Sequence, residues 1–179
     1  MAELTNTAVS REQEARDLFI QSQLRRVFSL IYKMVGNVAD AQDLTQEVFI
    51  KVLQRGDQLR EQDKAAHWLS RIATNTAIDF LRRSKRARFV DLEDLPALSA
   101  PASEGPEHRL LRAEKQSRLE AGLDTLTERE RAALVLRDVE DLPAEEVARH
   151  LDCSKATVRS HIANARVKFK RYLTKKGAC

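Results

Sequence analysis

One stretch indicates the fold of this chain most clearly: residues 143–166, which read PAEEVARHLDCSKATVRSHIANAR. Its periodicity predicts a short helix, a tight turn and a second, basic helix. Small Ala148 lets the two helices approach closely, and Val158 faces back to hold the second helix on the first. This is the layout of a helix-turn-helix, whose second helix enters the DNA major groove. An ordinary helical hairpin is the alternative, and the basic second helix argues against it.

The outward face of that second helix combines short polar groups with cations. Polar groups in its N-terminal half can reach base edges, and cations can reach phosphate. His161 is discounted as a metal ligand because no partner ligands lie at suitable spacing. The predicted DNA contacts are Thr157, Arg159, Ser160, His161, Asn164, Arg166, Lys168 and Arg171.

The composition of the whole chain favours a helical protein. Its 179 residues are 42% hydrophobic and 32% charged, with 5 glycines and 4 prolines. The apolar runs are far too short to span a membrane, and no signal peptide is evident. Cys153 and Cys179 alone form neither a disulfide framework nor a zinc site. We therefore expect a cytoplasmic protein without membrane insertion, cofactor or metal, and not a secreted scaffold or a transporter.

The net charge of +4 is unevenly distributed along the sequence. Residues 80–88 and 153–179 are rich in Lys and Arg and contain no acidic residue, whereas all the charges between 91 and 107 are negative. Two basic patches separated by an acidic segment predict two surfaces that meet a polyanion.

A proline-rich segment without apolar periodicity divides the chain. Pro96, Pro101 and Pro106 fall within it, which is typical of a linker. We predict an all-α fold with two small helical modules, residues 10–89 and 108–174, joined by a flexible linker, residues 90–107.

Local signals place several helix starts within these modules. Asn37 and Ser154 are predicted N-caps, and Thr127 with Glu130 forms a predicted capping box. Pro143 suits the first turn of the short helix. A polar loop is predicted over residues 57–64, between two longer helices.

The second helix of the N-terminal module carries a polar face. Asp43, Gln46 and Glu47 lie at positions i, i+3 and i+4, turned away from an apolar stripe. A solvated face is one interpretation, and a docking surface for a basic protein partner is the other. A paired-carboxylate enzyme site needs a pocket, and nothing in the sequence builds one.

The third helix mixes polar residues with its apolar stripe and ends in a basic cluster. Trp68 is either a core residue or, beside a polar loop and a basic helix end, a platform for an unpaired base. The residues predicted to contact DNA here are Trp68, Arg71, Asn75, Arg82, Arg83 and Arg86.

Two runs of sequence resemble a known family. Residues 43–49, DLTQEVF, followed by 68–83, WLSRIATNTAIDFLRR, look like region 2 of the extracytoplasmic-function (ECF) sigma factors of the sigma-70 family. Residues 123–126, 129–130 and 148–166 look like region 4 of the same family.

The resemblance implies a role in bacterial transcription initiation. Asp43, Gln46 and Glu47 would dock on the clamp helices of the β′ subunit of the RNA polymerase core. The β subunit of the core would be a further contact of the chain. The helix from Trp68 to Arg83 and the loop before it would open the −10 promoter element, and the second helix of region 4 would read the −35 element. An anti-sigma factor is an implied partner, and the chain would not be an enzyme. A stand-alone helix-turn-helix regulator and a helical adaptor remain as alternatives.

Overall fold

A computed structural model describes residues 21–54, 62–88 and 106–175. Side chains are described there except at residues 62–64, 86–88 and 106–113. Within these residues the regular structure is helical and no strand occurs. The helices are α1 (described from 21 to 35), α2 (Val38–Gln54), α3 (Gln62–Arg88), α4 (Pro106–Asp124), α5 (Glu128–Leu134), α6 (Ala144–Leu151) and α7 (Lys155–Lys175). The predicted all-α fold class is confirmed.

The chain divides into two units, Met1–Ala77 and Ile78–Cys179, and the division falls within α3. The module boundaries predicted from the sequence, 10–89 and 108–174, stay predictions. Most of the predicted linker and of the predicted loop, residues 89–105 and 55–61, lies outside the described residues.

The N-terminal unit buries one apolar stripe from each of its helices. Lys51 on α2 donates a hydrogen bond to the Thr76 hydroxyl on α3, at 3.2 Å, and so joins these two helices. Branched and sulfur-containing side chains at helical spacing fill the interior, because each helix buries its apolar face against the others. The buried apolar residues are Val27, Leu30, Ile31, Met34, Ala41, Leu44, Val48, Val52, Ala65, Leu69, Ala73 and Ala77.

A sharp turn links α1 to α2. Gly36 has a φ of 82°, a left-handed conformation that favours glycine, and its N–H donates to the Tyr32 carbonyl at 2.8 Å. Asn37 then caps α2, since its Oδ1 accepts from the N–H groups of Ala39 and Asp40 at 2.8 and 3.2 Å. The predicted Asn37 cap is confirmed.

Two helix starts differ from the sequence-based expectation. Helix α3 begins at Gln62, so the last three residues of the predicted 57–64 loop are helical. No helix breaker lies between Gln62 and Ala65, and an acidic residue at position 63 suits a first turn. Helix α4 begins at Pro106, two residues before the predicted module, because proline is well tolerated at a helix start.

In the C-terminal unit, α4, α5 and α6 all contact the long helix α7. Helix α5 continues into a π-helical segment, Val135–Val139, which the periodicity did not reveal. The buried apolar residues of α5, α6 and α7 and the turns between them include Leu126, Ala132, Ala133, Val135, Leu136, Val147, Ala148, Leu151, Val158 and Ala165. Ala148 and Val158 are therefore core residues, as the helix-turn-helix pattern predicted.

Candidate nucleic-acid and protein interfaces

The turn between α6 and α7 fixes the start of the predicted recognition helix. Asp152 has a φ of 50°, so an aspartate takes the left-handed position that glycine commonly fills. Ser154 caps α7, because its Oγ accepts from the Thr157 N–H at 3.1 Å. The Ser154 and Thr157 hydroxyl groups are also hydrogen-bonded, at 2.9 Å. Burial raises the pKa of the intervening Cys153 thiol, which does not favour a reactive thiolate.

The outward face of α7 is open where the sequence predicts base contacts. Ser160 and Asn164 are exposed, and Thr157 and His161 are partly buried. Ser160 donates its hydroxyl to the Ala156 carbonyl at 3.1 Å, so its oxygen remains an acceptor on the surface. The inward face buries Val158 and Ala165. Helix α7 can therefore present short polar groups to a DNA groove while its other side packs inside the C-terminal unit.

Three cations of α7 form ion pairs with the preceding helices and turns. Arg166 makes a bidentate contact with Asp138, with Nη2–Oδ1 at 2.7 Å and Nε–Oδ2 at 3.1 Å. Hydrogen bonding to Asp138 raises the pKa of Arg166. Lys155 pairs with Glu145 at 2.8 Å, and Lys168 pairs with Glu130 at 2.7 Å. Sequence reasoning missed these pairs, because the partners lie 10 to 38 residues apart.

Glu130 is a nearly buried carboxylate at the start of α5. Its side chain is 6% exposed. It completes the predicted capping box by accepting from the Thr127 N–H at 2.9 Å, while the Thr127 hydroxyl accepts from the Glu130 N–H at 3.2 Å. Burial acts to raise the pKa of Glu130, but the hydrogen bonds from Lys168 and Thr127 outweigh it, so the pKa is lowered. Lys168 therefore has a structural contact in addition to its predicted role at DNA.

The predicted docking face of α2 lies on the surface. Asp43 and Gln46 are exposed, while Glu47 is partly buried and pairs with Lys51 at 2.7 Å. One turn further along, Ile50 and Leu53 are 55% and 63% exposed. Ile50 and Leu53 follow Gln46 at helical spacing, and this spacing was the available signal that the polar face continues as an apolar one.

The predicted −10 face lies along α3. Trp68 is partly buried, and Arg71, Asn75 and Arg83 are exposed. Within the first unit, Trp68, Arg71 and Asn75 share one side of the helix, at spacings of three and four. Arg82 contacts Asp79 at 3.3 Å and Glu128 at 3.4 Å. The Arg86 side chain lies outside the described residues, as does most of the predicted loop before this helix.

Neither a metal-binding cluster nor a membrane-spanning helix occurs among the described residues. They contain no group of three or more His, Cys, Asp and Glu side chains that could hold a metal ion. No helix in the described part of the chain has the length and apolar character needed to cross a bilayer.

Comparison with protein families gives two matches in chain order. Residues 19–87 match sigma-70 region 2, and residues 116–169 match sigma-70 region 4. The first match contains α2 and all of α3 but its last residue, with both of their predicted faces, and the second contains the helix-turn-helix stretch 143–166. This arrangement defines the class: a helical protein built from regions 2 and 4 of the sigma-70 type.

Curated relatives narrow the class. The chain is 38% identical to the ECF RNA polymerase sigma factor SigE of Mycolicibacterium smegmatis, over 89% of this chain and 62% of that protein. It is 34% identical to the RNA polymerase sigma-H factor of Pseudomonas aeruginosa, over 87% of this chain and 84% of that one. The ECF RNA polymerase sigma-E factor of Escherichia coli is 32% identical with the same coverages. The chain belongs to the family of ECF RNA polymerase sigma factors. This membership argues against the alternative that it is a stand-alone helix-turn-helix regulator.

A solved structure has the same fold. The sigma factor RpoE from Bartonella quintana, crystallised with the anti-sigma factor NepR, matches 92% of this chain and 97% of its own, with a TM-score of 0.63. The sequence identity is 18%, so this likeness concerns the fold alone.

Proposed function

We propose that this chain binds the core of bacterial RNA polymerase and directs it to promoters by recognising −35 and −10 elements. The observation that carries the proposal is the presence, in one chain, of an exposed polar face on α2 and an exposed polar face on the helix-turn-helix helix α7. The family assignment supplies the context for both faces. In this role the chain needs no catalytic residues, because the polymerisation chemistry belongs to the core.

The α2 face is the proposed polymerase contact. Asp43, Gln46 and Glu47 would meet the clamp helices of the β′ subunit, and other parts of the chain would meet the β subunit. Exposed carboxylates suit a basic partner surface, since complementary charge steers docking. The Glu47–Lys51 ion pair leaves Glu47 able to meet a basic partner, because both side chains are more than 40% exposed and such pairs are weak.

The α3 face is the proposed −10 contact. Arg71 and Asn75 are exposed and follow the partly buried Trp68 by one and two turns, so a cation and an amide lie on the same side of the helix as the aromatic ring. Such a group suits an unpaired base next to its phosphate. Arg82, Arg83 and Arg86 would contact the DNA backbone beyond it.

The α7 face is the proposed −35 contact. Asn164 can make a bidentate contact with adenine, and Thr157, Ser160 and His161 can supply further polar contacts to base edges. Arg159 and Arg171 are exposed and would contact phosphate. Arg166 and Lys168 already pair with carboxylates. Each would contact phosphate only if the phosphate shared the cation with its carboxylate partner or replaced that partner.

An anti-sigma factor is the proposed regulatory partner, supported by the complex in which the structurally similar sigma factor was solved. The proposed modules are residues 10–89, which bind core and the −10 element, and residues 108–174, which bind the −35 element, with a linker over residues 90–107. We place the protein in the bacterial cytoplasm, where RNA polymerase acts.

Run-off transcription with purified core polymerase on genomic fragments tests the proposal. We expect discrete transcripts whose start sites share −35 and −10 sequences, and no specific binding of promoter duplex by the chain alone. Specific duplex binding without core, together with no transcript, would instead support a stand-alone regulator.

A further inference from the structure

Three cations lie on one flank of α7. At 3.6 residues per turn, Lys155, Arg159 and Arg166 fall within about 40° of each other around the helix axis. This group is called the cation flank; Ser160 and Asn164 lie about 100° to 180° around the axis from its members, so the flank is a different side of α7 from the face predicted to meet bases. A helix seated in a major groove has a phosphate backbone on either side, so a basic side away from the base-reading face can contact phosphate while that face meets the bases.

Two carboxylates from outside α7 occupy this flank. Glu145, in the first turn of α6, accepts from Lys155 at 2.8 Å. Its pKa is lowered chiefly by that hydrogen bond, with a smaller contribution from the nearby charge of Arg159. Asp138, in the π-helical segment, holds Arg166 by two oxygens, at 2.7 and 3.1 Å. The flank is therefore partly neutralised by the protein itself.

Both pairs are exchangeable because they lie at the surface. The Lys155 and Glu145 side chains are 54% and 60% exposed, and the Arg166 and Asp138 side chains are 63% and 32% exposed. Exposed ion pairs are weak and screened by salt, so a DNA phosphate can compete for either cation. Each phosphate contact would then be made at the expense of an internal pair.

We propose that Glu145 and Asp138 compete with DNA phosphate for the cation flank, and thereby limit sequence-independent binding by α7. This inference rests on the proposed role of α7 at the −35 element. The two carboxylates touch no DNA in this scheme; they act through Lys155, Arg159 and Arg166. As a result, base contacts supply a larger share of the binding free energy, and phosphate contacts a smaller share, than they would without these two carboxylates.

The test compares wild type with Glu145→Gln and Asp138→Asn in reconstituted holoenzyme. Binding to a promoter duplex, and to the same duplex with a scrambled −35 element, is measured over a salt series. Each cation released to a phosphate should steepen the slope of log affinity against log salt by about 0.9. A tenfold decrease in salt should then raise affinity about eightfold more than in wild type. Affinity for the scrambled duplex should rise more than affinity for the promoter.

Asp141→Asn is the matched control for charge. Asp141 is 97% exposed and pairs with Arg137 at 3.4 Å, not with α7. Arg137 stays attached through the Leu142 carbonyl, at 3.2 Å. Asparagine also tolerates the left-handed backbone of this position, where φ is 52°. The slope of log affinity against log salt for Asp141→Asn should equal that of wild type.

The results distinguish a failure of the inference from a failure of the proposed role of α7. Unchanged slopes in both Glu145→Gln and Asp138→Asn would overturn the inference, and so would an equal steepening in Asp141→Asn, which would reduce the effect to net charge. A wild-type holoenzyme without −35 preference would overturn the proposed role of α7 instead. The slopes would still decide the inference in that case, because they report phosphate contacts irrespective of sequence. Thermal unfolding of each variant checks that the fold is intact.

Discussion

At the scale of single residues, Glu130 shows how a charge is kept in a nearly buried position. Three groups stabilise its carboxylate: the Thr127 N–H, the start of helix α5 and the Lys168 ammonium. Their combined effect holds the pKa of Glu130 below its ordinary value despite burial. A carboxylate with a lowered pKa in the folded state contributes stability that is present above its unfolded pKa. That contribution is lost as the pH falls through the folded pKa.

We predict that Lys168→Met lowers the free energy of unfolding at pH 7 by about 1.5–3 kcal/mol, the usual worth of a hydrogen bond to a charged group. Without the ammonium the pKa of Glu130 rises, so acid destabilisation begins at a higher pH than in wild type. Urea unfolding at pH 7 and at a series of lower pH values measures both effects. Near and below the folded pKa the two proteins should converge, because Glu130 is then neutral in each.

Lys170→Met is the control for this prediction. Lys170 is exposed and two residues away on the same helix, so the same charge is removed without touching Glu130. Its effect should stay within about 0.5 kcal/mol. Equal losses of stability in the two variants would show that Glu130 does not depend on Lys168.

At the scale of elements, the crossing of α4 and α7 depends on the absence of one side chain. A Cβ placed on Gly122 would lie 2.6 Å from Cε2 of Phe169 and 3.0 Å from Cδ1 of Tyr172. Both rings belong to α7, so the glycine permits a close approach of the two helices. This requirement opposes helix propensity, which disfavours glycine within a helix by about 1 kcal/mol relative to alanine.

We predict that Gly122→Ala lowers the free energy of unfolding by up to about 2 kcal/mol, because overpacking of this kind costs about 1–3 kcal/mol and the gain in helix propensity offsets about 1 kcal/mol of that cost. Thermal or urea unfolding measures the change. In a Phe169→Leu background the closest ring is gone and only the 3.0 Å approach to Tyr172 remains, so the same alanine substitution should cost clearly less than in wild type. A destabilisation of the same size in both backgrounds would contradict the steric explanation.

At the scale of the whole molecule, the chain consists of two units with different proposed tasks. The proposed core contact lies in the first unit, on α2, and the proposed −35 contact lies in the second, on α7. A change to the α2 face should therefore affect polymerase binding without affecting the fold of the second unit.

We predict that reversing two charges, Asp43→Lys with Glu47→Lys, abolishes capture of core polymerase in a pull-down. Like charges opposed across an interface cost several kcal/mol, whereas surface substitutions usually alter stability by less than about 0.5 kcal/mol. Glu114→Lys with Glu120→Lys makes the same change of charge on α4 and should bind core as wild type does. Core capture by the α2 variant at the wild-type level would refute the assignment of this face.

Linear patterns in the sequence were sufficient to predict the helical class, the helix-turn-helix and the caps at Asn37, Thr127 and Ser154. These features depend on apolar periodicity and on hydrogen bonds between residues two to four positions apart, which a linear pattern records. The predicted faces of α2, α3 and α7 followed from the same periodicity, and their residues largely lie on the surface.

Tertiary packing, in contrast, sets which cations of α7 are already paired and how closely α4 approaches α7. Asp138 lies 28 residues from Arg166, and Glu130 lies 38 residues from Lys168, so their contacts exist only once the unit has folded. The closeness of Gly122 to Phe169 has the same origin. Local patterns fix where helices begin and which sides are apolar, whereas the packing of those sides decides which distant side chains meet.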